Sequence, residues 1–274
     1  MSAVPTNEQR RKAAKRKLER QIERRAERSR RRRQRLTLIS VVAVVAVLAV
    51  GAGVYFVVTG SDEPTPEAAP PSTCTYNPSE PASKPNTPPD GNPPTTGIVD
   101  VTLQTSQGAI PLVLDRASAP CAVNAVVSLA SQGFYDDTPC PRLVTSAGSL
   151  QVLQCGDPTG SGSGGPGYQY AEEPPQGLPP FPGAEGQAST YARGLIAMAK
   201  SSQPGTTGSQ FFLVYGDSAL PPEYSVIGRI GGDGLGVLDR IAQGGDDGSN
   251  QAGGGAPRTP VQIQRAVVAA PPAP

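Results

Sequence analysis

The chain contains no histidine and no tryptophan, and only 5% of its residues are aromatic. Without histidine the Ser–His and Cys–His nucleophile pairs cannot be assembled, and zinc sites lose their commonest nitrogen ligand. Lysine is almost as scarce beyond residue 35, where only Lys84 and Lys200 occur. A Ser–Lys hydrolase would need one of these buried, and Lys84 stands in a proline-rich stretch. The glycine-rich run GDPTGSGSGGPG (156–167) is followed by no helix signal and no GK[ST], which argues against a phosphate-cradling loop. The acidic pairs Asp136–Asp137 and Glu172–Glu173 stand in turn-like contexts that favour solvation. No metal and no cofactor is expected, and covalent catalysis has little to work with.

Charge is unevenly distributed. Residues 1–35 hold 15 of the 24 Lys and Arg but only 4 of the 23 Asp and Glu, leaving 9 basic against 19 acidic residues, a net of −10, in the remainder. Between the two lies LTLISVVAVVAVLAVGAGVYFVV (36–58), 23 residues without a charge, where about 20 suffice to cross a bilayer. The run is too long for a signal-peptide core and no small-residue cleavage motif follows it closely, so it reads as a transmembrane anchor in contact with lipid. The arginine cluster RSRRRRQR (28–35) predicts a cytoplasmic leader over 1–35 and an extracytoplasmic body on a bacterial cell membrane. The leader reads as a topology determinant touching anionic lipid, so no nucleic-acid partner is expected. Residues 59–97 include 11 prolines and few large apolar side chains. They read as an extended stalk with polyproline II character.

From Ile98 the texture is that of a domain. IVDVTLQT and AIPLVLD alternate on either side of a turn at SQG, which predicts a β-hairpin. APCAVNAVVSLASQG (119–133) and LGVLDRIAQGG (235–245) carry helical spacing and glycine stops. Short strands are predicted at Arg142–Val144, Gln151–Gln154, Gly194–Ala199, Phe211–Tyr215 and Tyr224–Ile230, with a closing strand at 260–268 and a disordered tail at 269–274. Many short strands with two helices and no βαβ rhythm predict a closed antiparallel barrel, a mainly β fold. The four cysteines favour disulfides outside the membrane, with three connectivities open. Cys140 and Cys155 flank one predicted hairpin and are paired across it, which leaves Cys74 for Cys121.

The segment GSQFFLVYGDS (208–218) has the alternation of a strand yet sets Gln210 and Phe212 on one face and Phe211 on the other. A carboxamide sharing a face with an aromatic ring marks a site more than a core. Together with GFYDDTPCPRLV, QVLQCGDPTGSGSGGPGY, ARGLIAMAKSSQPGTTGSQFFLVYG and YSVIGRI, this segment resembles the cyclophilin family of peptidyl-prolyl isomerases, most of all its membrane-anchored extracytoplasmic bacterial members. The likeness covers residues 98–268. It implies an eight-stranded barrel capped by two helices, acting as a monomeric domain on proline-containing polypeptides.

The resemblance also implies a site. Arg142 falls on the family's catalytic arginine, Gln154 on the glutamine that gathers substrate backbone, and Phe212 on the aromatic floor of the proline pocket. Leu220 matches an aliphatic wall, Val152 the place of a methionine, and Gln210 the polar residue that hydrogen-bonds peptide. Ala199, Lys200 and Ser201 match a groove segment that commonly reads Ala-Asn-Ala, and Gly162 borders it. Tyr224 stands where many members have histidine, and Pro141 precedes the arginine where they have another. The usual pocket phenylalanine falls on or near Gln151, and roughly four extra residues lie between Arg142 and Gln154. The tryptophan that aids cyclosporin binding falls near Ala219, so cyclosporin binding is expected to be weak. The implied activity is Xaa-Pro isomerisation in exported or envelope proteins. A proline-peptide binding module with little turnover, supported by Gln151 and the long loop, and an envelope scaffold are the alternatives.

Overall fold

The computed structural model describes residues 73–184 and 186–270. In chain order its elements are β1 (Asn77–Pro78), β2 (Ile98–Thr105), β3 (Gly108–Asp115), α1 (Pro120–Ser131), β4 (Thr138–Pro139), β5 (Arg142–Ser146), β6 (Leu150–Cys155) and β7 (Tyr168–Gln169). They continue with β8 (Ser189–Tyr191), β9 (Leu195–Met198), β10 (Phe211–Gly216), β11 (Ser218–Leu220), β12 (Val226–Ile230), α2 (Gly234–Gly244) and β13 (Gln262–Val268).

Alternation explains the long hairpin. Val99, Val101 and Leu103 on β2 and Ile110, Leu112 and Leu114 on β3 all turn inward, and every residue of β2 pairs with one of β3. The main sheet is antiparallel and runs β4-β13-β2-β3-β12-β9-β10-β6-β5. Its two edge strands, β4 and β5, are separated in the chain only by Cys140 and Pro141. One short stretch therefore passes from one edge to the other, and the sheet must curl until its ends are neighbours. This differs from the expected closed eight-stranded barrel: the sheet is a curled, nine-stranded half-barrel whose edges are joined by chain continuity instead of a hydrogen-bonded ladder. The two-residue β4 is too short to carry a pattern that sequence could reveal.

The helices cap the curled sheet. α1 buries Ala122, Val123, Ala125, Val126, Leu129 and Ala130, a stripe at helical spacing, against β13 and β3. Its first turn is satisfied from outside: the amides of Cys121 and Ala122 donate to the Glu173 carboxylate at 3.0 and 2.9 Å. Burial nevertheless leaves Glu173 with a raised pKa, the two amides opposing the shift. Glu172 accepts the amides of Gly205 and Thr206. The pair expected to be solvated is thus structural, because each carboxylate meets backbone donors that sequence cannot locate. α2 buries Val237, Leu238 and Ile241 and packs on β3 and β10.

The proline-rich segment departs most from expectation. From Cys74 onward it is a strap laid on the domain. Cys74 is bonded to Cys121 on α1, and the other expected pair, Cys140–Cys155, is also formed. Tyr76 sets its ring edge-on to Tyr168 and Tyr170, with centroids 5.4 Å away in each case, and donates to the Cys121 carbonyl at 3.0 Å. β1 pairs with β7, and Ser79 and Ser83 donate their amides to the carbonyls of Gly167 and Gly165. A segment too polar to fold by itself is ordered here by one cross-link, one aromatic anchor and a borrowed edge. Residues 59–72 of the expected stalk, the expected anchor at 36–58, the leader at 1–35 and residues 271–274 of the tail lie outside the described residues. Among the described residues no helix is long and apolar enough to cross a membrane.

Candidate functional site

The sheet register aligns one row of side chains across five strands. Arg142 on β5 pairs with Gln154 on β6, Gln154 with Phe212 on β10, Phe212 with Ala197 on β9, and Ala197 with Val226 on β12. Neighbouring positions send Leu143, Leu153, Phe211 and Ile196 into the barrel core, while Val144, Val152, Phe212, Val214 and Ala197 form a second cluster on the outer face. The two phenylalanines of GSQFFLVYGDS therefore divide as alternation requires, Phe211 inward and Phe212 outward.

Phe212 belongs to an apolar patch on the outer face. Its ring meets that of Tyr224 edge-on at 5.7 Å and lies 6.4 Å from that of Tyr191. Leu150, Leu220 and Ala199 pack against the same cluster. Tyr191 is fully buried, and its hydroxyl accepts the Tyr224 amide at 3.1 Å, which pins the loop carrying Tyr224. Leu220 arrives on β11, which pairs with β8 to form a two-stranded sheet beside the patch.

A chain of hydrogen bonds runs along the polar side. Arg142 donates from Nε to the Gly253 carbonyl at 3.1 Å, from Nη2 to the Ala252 carbonyl at 2.9 Å, and from Nη1 to Gln154 Oε1 at 3.3 Å. Gln154 Nε2 donates to Gln210 Oε1 at 2.9 Å, and Gln210 Nε2 donates to the carbonyls of Gly162 and Gly164 at 3.0 Å each. Three of the guanidinium's five donors are thus committed, leaving two without a partner among the described residues. Burial lowers the pKa of Arg142 from its ordinary value, with Tyr224 opposing the shift.

The glycine-rich loop owes its shape to Asp157, which is fully buried. Its carboxylate takes the amides of Thr159, Gly162 and Gly164 at 2.7, 2.7 and 3.1 Å. Burial pushes its pKa up, but these hydrogen bonds and the Thr159 hydroxyl outweigh it and hold Asp157 below the ordinary value. The amides a phosphate would need are already spent on this carboxylate.

Arg142 is steadied by a loop that sequence did not single out. The Leu143 amide donates to the Gly255 carbonyl at 2.8 Å and the Gly255 amide donates back at 3.0 Å, docking the 246–257 loop on β5. Asn250 Oδ1 accepts the Ala252 amide at 2.9 Å, shaping the turn whose carbonyls hold the guanidinium. Gly254 has φ +72°, and a Cβ there would lie 2.1 Å from the Leu143 carbonyl oxygen. Gly254→Ala is therefore expected to cost about 1–3 kcal/mol, read as a lowered melting temperature.

Most predicted site residues converge. Gln154, Gln210, Gly162, Ala199, Lys200 and Ser201 line one cavity. Val152, Leu220 and Tyr224 stand around Phe212. Lys200 binds Glu223 at 2.9 Å and stands 5.7 Å from the centre of the Tyr224 ring. Gln151 does not join them. It lies with Thr145, Arg193, Tyr215 and Asp239 in a recess elsewhere, folded over Gly216, where a Cβ would lie 2.1 Å from its Oε1. The residue on the outer face is Leu150, in step with Val152 and Gln154, so the patch stays apolar. Alternation counted back from Gln154 could have found Leu150. Tyr191 carried no signal beyond being aromatic, and the carbonyls of Ala252 and Gly253 carried none.

Residues 99–268 match the family model described as Cyclophilin type peptidyl-prolyl cis-trans isomerase/CLD. A probable peptidyl-prolyl cis-trans isomerase B of Mycobacterium leprae is 45% identical over 307 aligned positions, covering 95% of this chain and 98% of that one. A protein of the same description from Mycobacterium tuberculosis is 45% identical over 290 positions, covering 95% and 93%. The crystal structure of a Cryptosporidium parvum cyclophilin type peptidyl-prolyl cis-trans isomerase superposes with a TM-score of 0.50 at 26% identity, over 64% of this chain and all of that one.

Proposed function

Because this chain belongs to the cyclophilin-type peptidyl-prolyl cis-trans isomerases, we propose that it turns Xaa-Pro bonds without covalent chemistry, Phe212 holding the proline ring and Arg142 meeting the twisted amide. The barrier to rotation is about 18–20 kcal/mol and comes from amide resonance. As the bond twists, conjugation is lost and the nitrogen becomes pyramidal and a better acceptor. A fixed donor aimed at that nitrogen stabilises the transition state more than either ground state, which is the condition for catalysis. The observation that carries this reading is the row Arg142–Gln154–Phe212. It sets a partly uncommitted guanidinium next to an apolar patch, and three hydrogen bonds hold the guanidinium.

Exchange between cis and trans forms of a short Xaa-Pro peptide, measured by NMR with the full chain, tests the proposal. Acceleration is expected, and binding without acceleration would leave a proline-peptide module only. That alternative drew support from Gln151 and the long loop; Leu150, on the same face as Phe212, removes the first of these.

No side chain in the row titrates near neutrality. Histidine, whose ordinary pKa is about 6.5, is absent from the chain. Burial lowers the pKa of Arg142, so its charge is lost only on the alkaline side, and the rate should fall as pH rises through that value. The rate constant is accordingly expected to stay flat from about pH 6 to 9, varying by less than about twofold. A bell-shaped profile centred near neutrality would count against a mechanism without proton transfer.

We also propose an extracytoplasmic site of action, on exported or envelope proteins. The uncharged run 36–58 behind an arginine cluster supports it. The two disulfides support it as well, since such bonds persist in oxidising compartments. Protease added to intact cells should then reach residues 73–270, and full protection of them would refute the placement.

A further inference from the structure

The strap borders the site. Ser79, Glu80 and Pro81 line a cavity of about 400 Å³ together with Gln154, Gln210 and Lys200. Gln154 is the register partner of Phe212, Gln210 stands two residues before it and Ala199 packs on its cluster, so the cavity lies beside the apolar patch of Phe212. At about 3.3–3.6 Å per extended residue, Gln154 and Gln210 lie within one or two peptide residues of a proline seated on Phe212.

The strap is coupled to the machinery it borders. Ser79 and Ser83 donate to the carbonyls of Gly167 and Gly165, and Gly165 donates back to Ser83 Oγ at 3.0 Å. The same loop receives Gln210 on Gly162 and Gly164, and Gln210 holds the glutamine that holds Arg142. Charge in the cavity is unbalanced. Lys200 is paired with Glu223 at 2.9 Å, and its side chain is only 4% exposed. Glu172 sits on the amides of Gly205 and Thr206, and Thr206 also lines the cavity. The guanidinium of Arg142 lies beyond Gln154 and is engaged with carbonyls. Glu80 is an exposed carboxylate in the lining with no partner among the described residues.

We propose that the strap is a working wall of the peptide site, and that Glu80 makes the enzyme prefer Xaa-Pro substrates carrying a lysine or arginine within two residues of the proline. This rests on the seating of proline at Phe212. The test uses the full chain and peptides that differ only in Lys, Ala or Glu at each of the two positions on either side of the proline. At one position the wild type should favour Lys over Glu by about three- to tenfold in kcat/KM, as expected of a charge pair that is only partly enclosed. The preference should shrink at 0.5 M salt. Glu80→Gln should bring the ratio to within about twofold, and Glu80→Lys should reverse it. A wild type without charge preference at any position, or a preference that survives Glu80→Gln, overturns the proposal. Phe212→Ala separates the two levels. If it leaves turnover of the all-Ala peptide intact, the seating of proline is wrong and the strap proposal falls with it. If it abolishes turnover while Glu80→Gln changes no ratio, only the strap proposal falls.

Discussion

Arg142→Ala is expected to lower kcat/KM on an Xaa-Pro peptide by about two to three orders of magnitude, the usual cost of deleting one pre-aimed donor. The loss should fall on the chemical step. On the proposed reading, peptide affinity rests on the apolar patch of Phe212, Leu220 and Leu150, which the substitution leaves in place. KM is therefore expected to move by less than about threefold, the signature of an interaction made mainly in the transition state. Arg142→Lys is the sharper variant, because it keeps the charge and removes the fork. One ammonium cannot occupy the carbonyls of Ala252 and Gly253 and the Gln154 amide in the same geometry. The lysine variant should recover less than about a tenth of the wild-type rate. Recovery to near wild type would mean that charge alone matters and that the three-point hold on the guanidinium is incidental. An alanine variant within about threefold of wild type would remove Arg142 from the mechanism.

What sequence could reveal follows the reach of each signal. Alternation and helical spacing act over a few residues, so the β2–β3 hairpin, both helices and the opposed faces of Phe211 and Phe212 were legible in IVDVTLQT, AIPLVLD and GSQFFLVYG. The cross-links were legible as well, because Cys140 and Cys155 flank one hairpin and the remaining pair had no other choice. Gln151 was misplaced because extra residues before it blurred a position-by-position match. The period-two rule, applied backwards from Gln154, separates Gln151 from Leu150 without any outside comparison. The hold on Arg142 was hidden for a different reason: backbone carbonyls of Ala252 and Gly253 belong to no residue type. The strap was misread because composition describes a segment in isolation. NPSEPASKPNTPPD has too little apolar surface to fold alone, and nothing in it names the α1 cysteine, the tyrosines or the β7 edge that order it. The edge strand β4, two residues long, lies below any pattern.

The strap's dependence on a distant partner makes its cross-link the second large effect. Cys74 and Cys121 are 47 residues apart in the chain, against 15 for Cys140 and Cys155. Loop-closure entropy assigns the longer link about 4 kcal/mol and the shorter about 3 kcal/mol. For a domain of this size about 2–4 °C is lost per kcal/mol. The double variant Cys74→Ser, Cys121→Ser is thus expected to melt about 8–16 °C lower. Where the two links act should also differ. Cys140 stands two residues before Arg142 and Cys155 directly follows Gln154, so loss of that bond should slow every substrate by disturbing the row Arg142–Gln154–Phe212. Loss of the strap's bond should leave the all-Ala peptide within about fivefold of the wild-type rate while erasing any preference for basic substrates, because Glu80 would no longer be held at the cavity. Limited proteolysis supplies the complementary measurement, with new cleavage expected between residues 75 and 97 in the strap variant. If that variant kept its melting temperature and an uncut strap, Tyr76 and the β1–β7 pairing would suffice to hold the segment, and the cross-link would be redundant in the folded state.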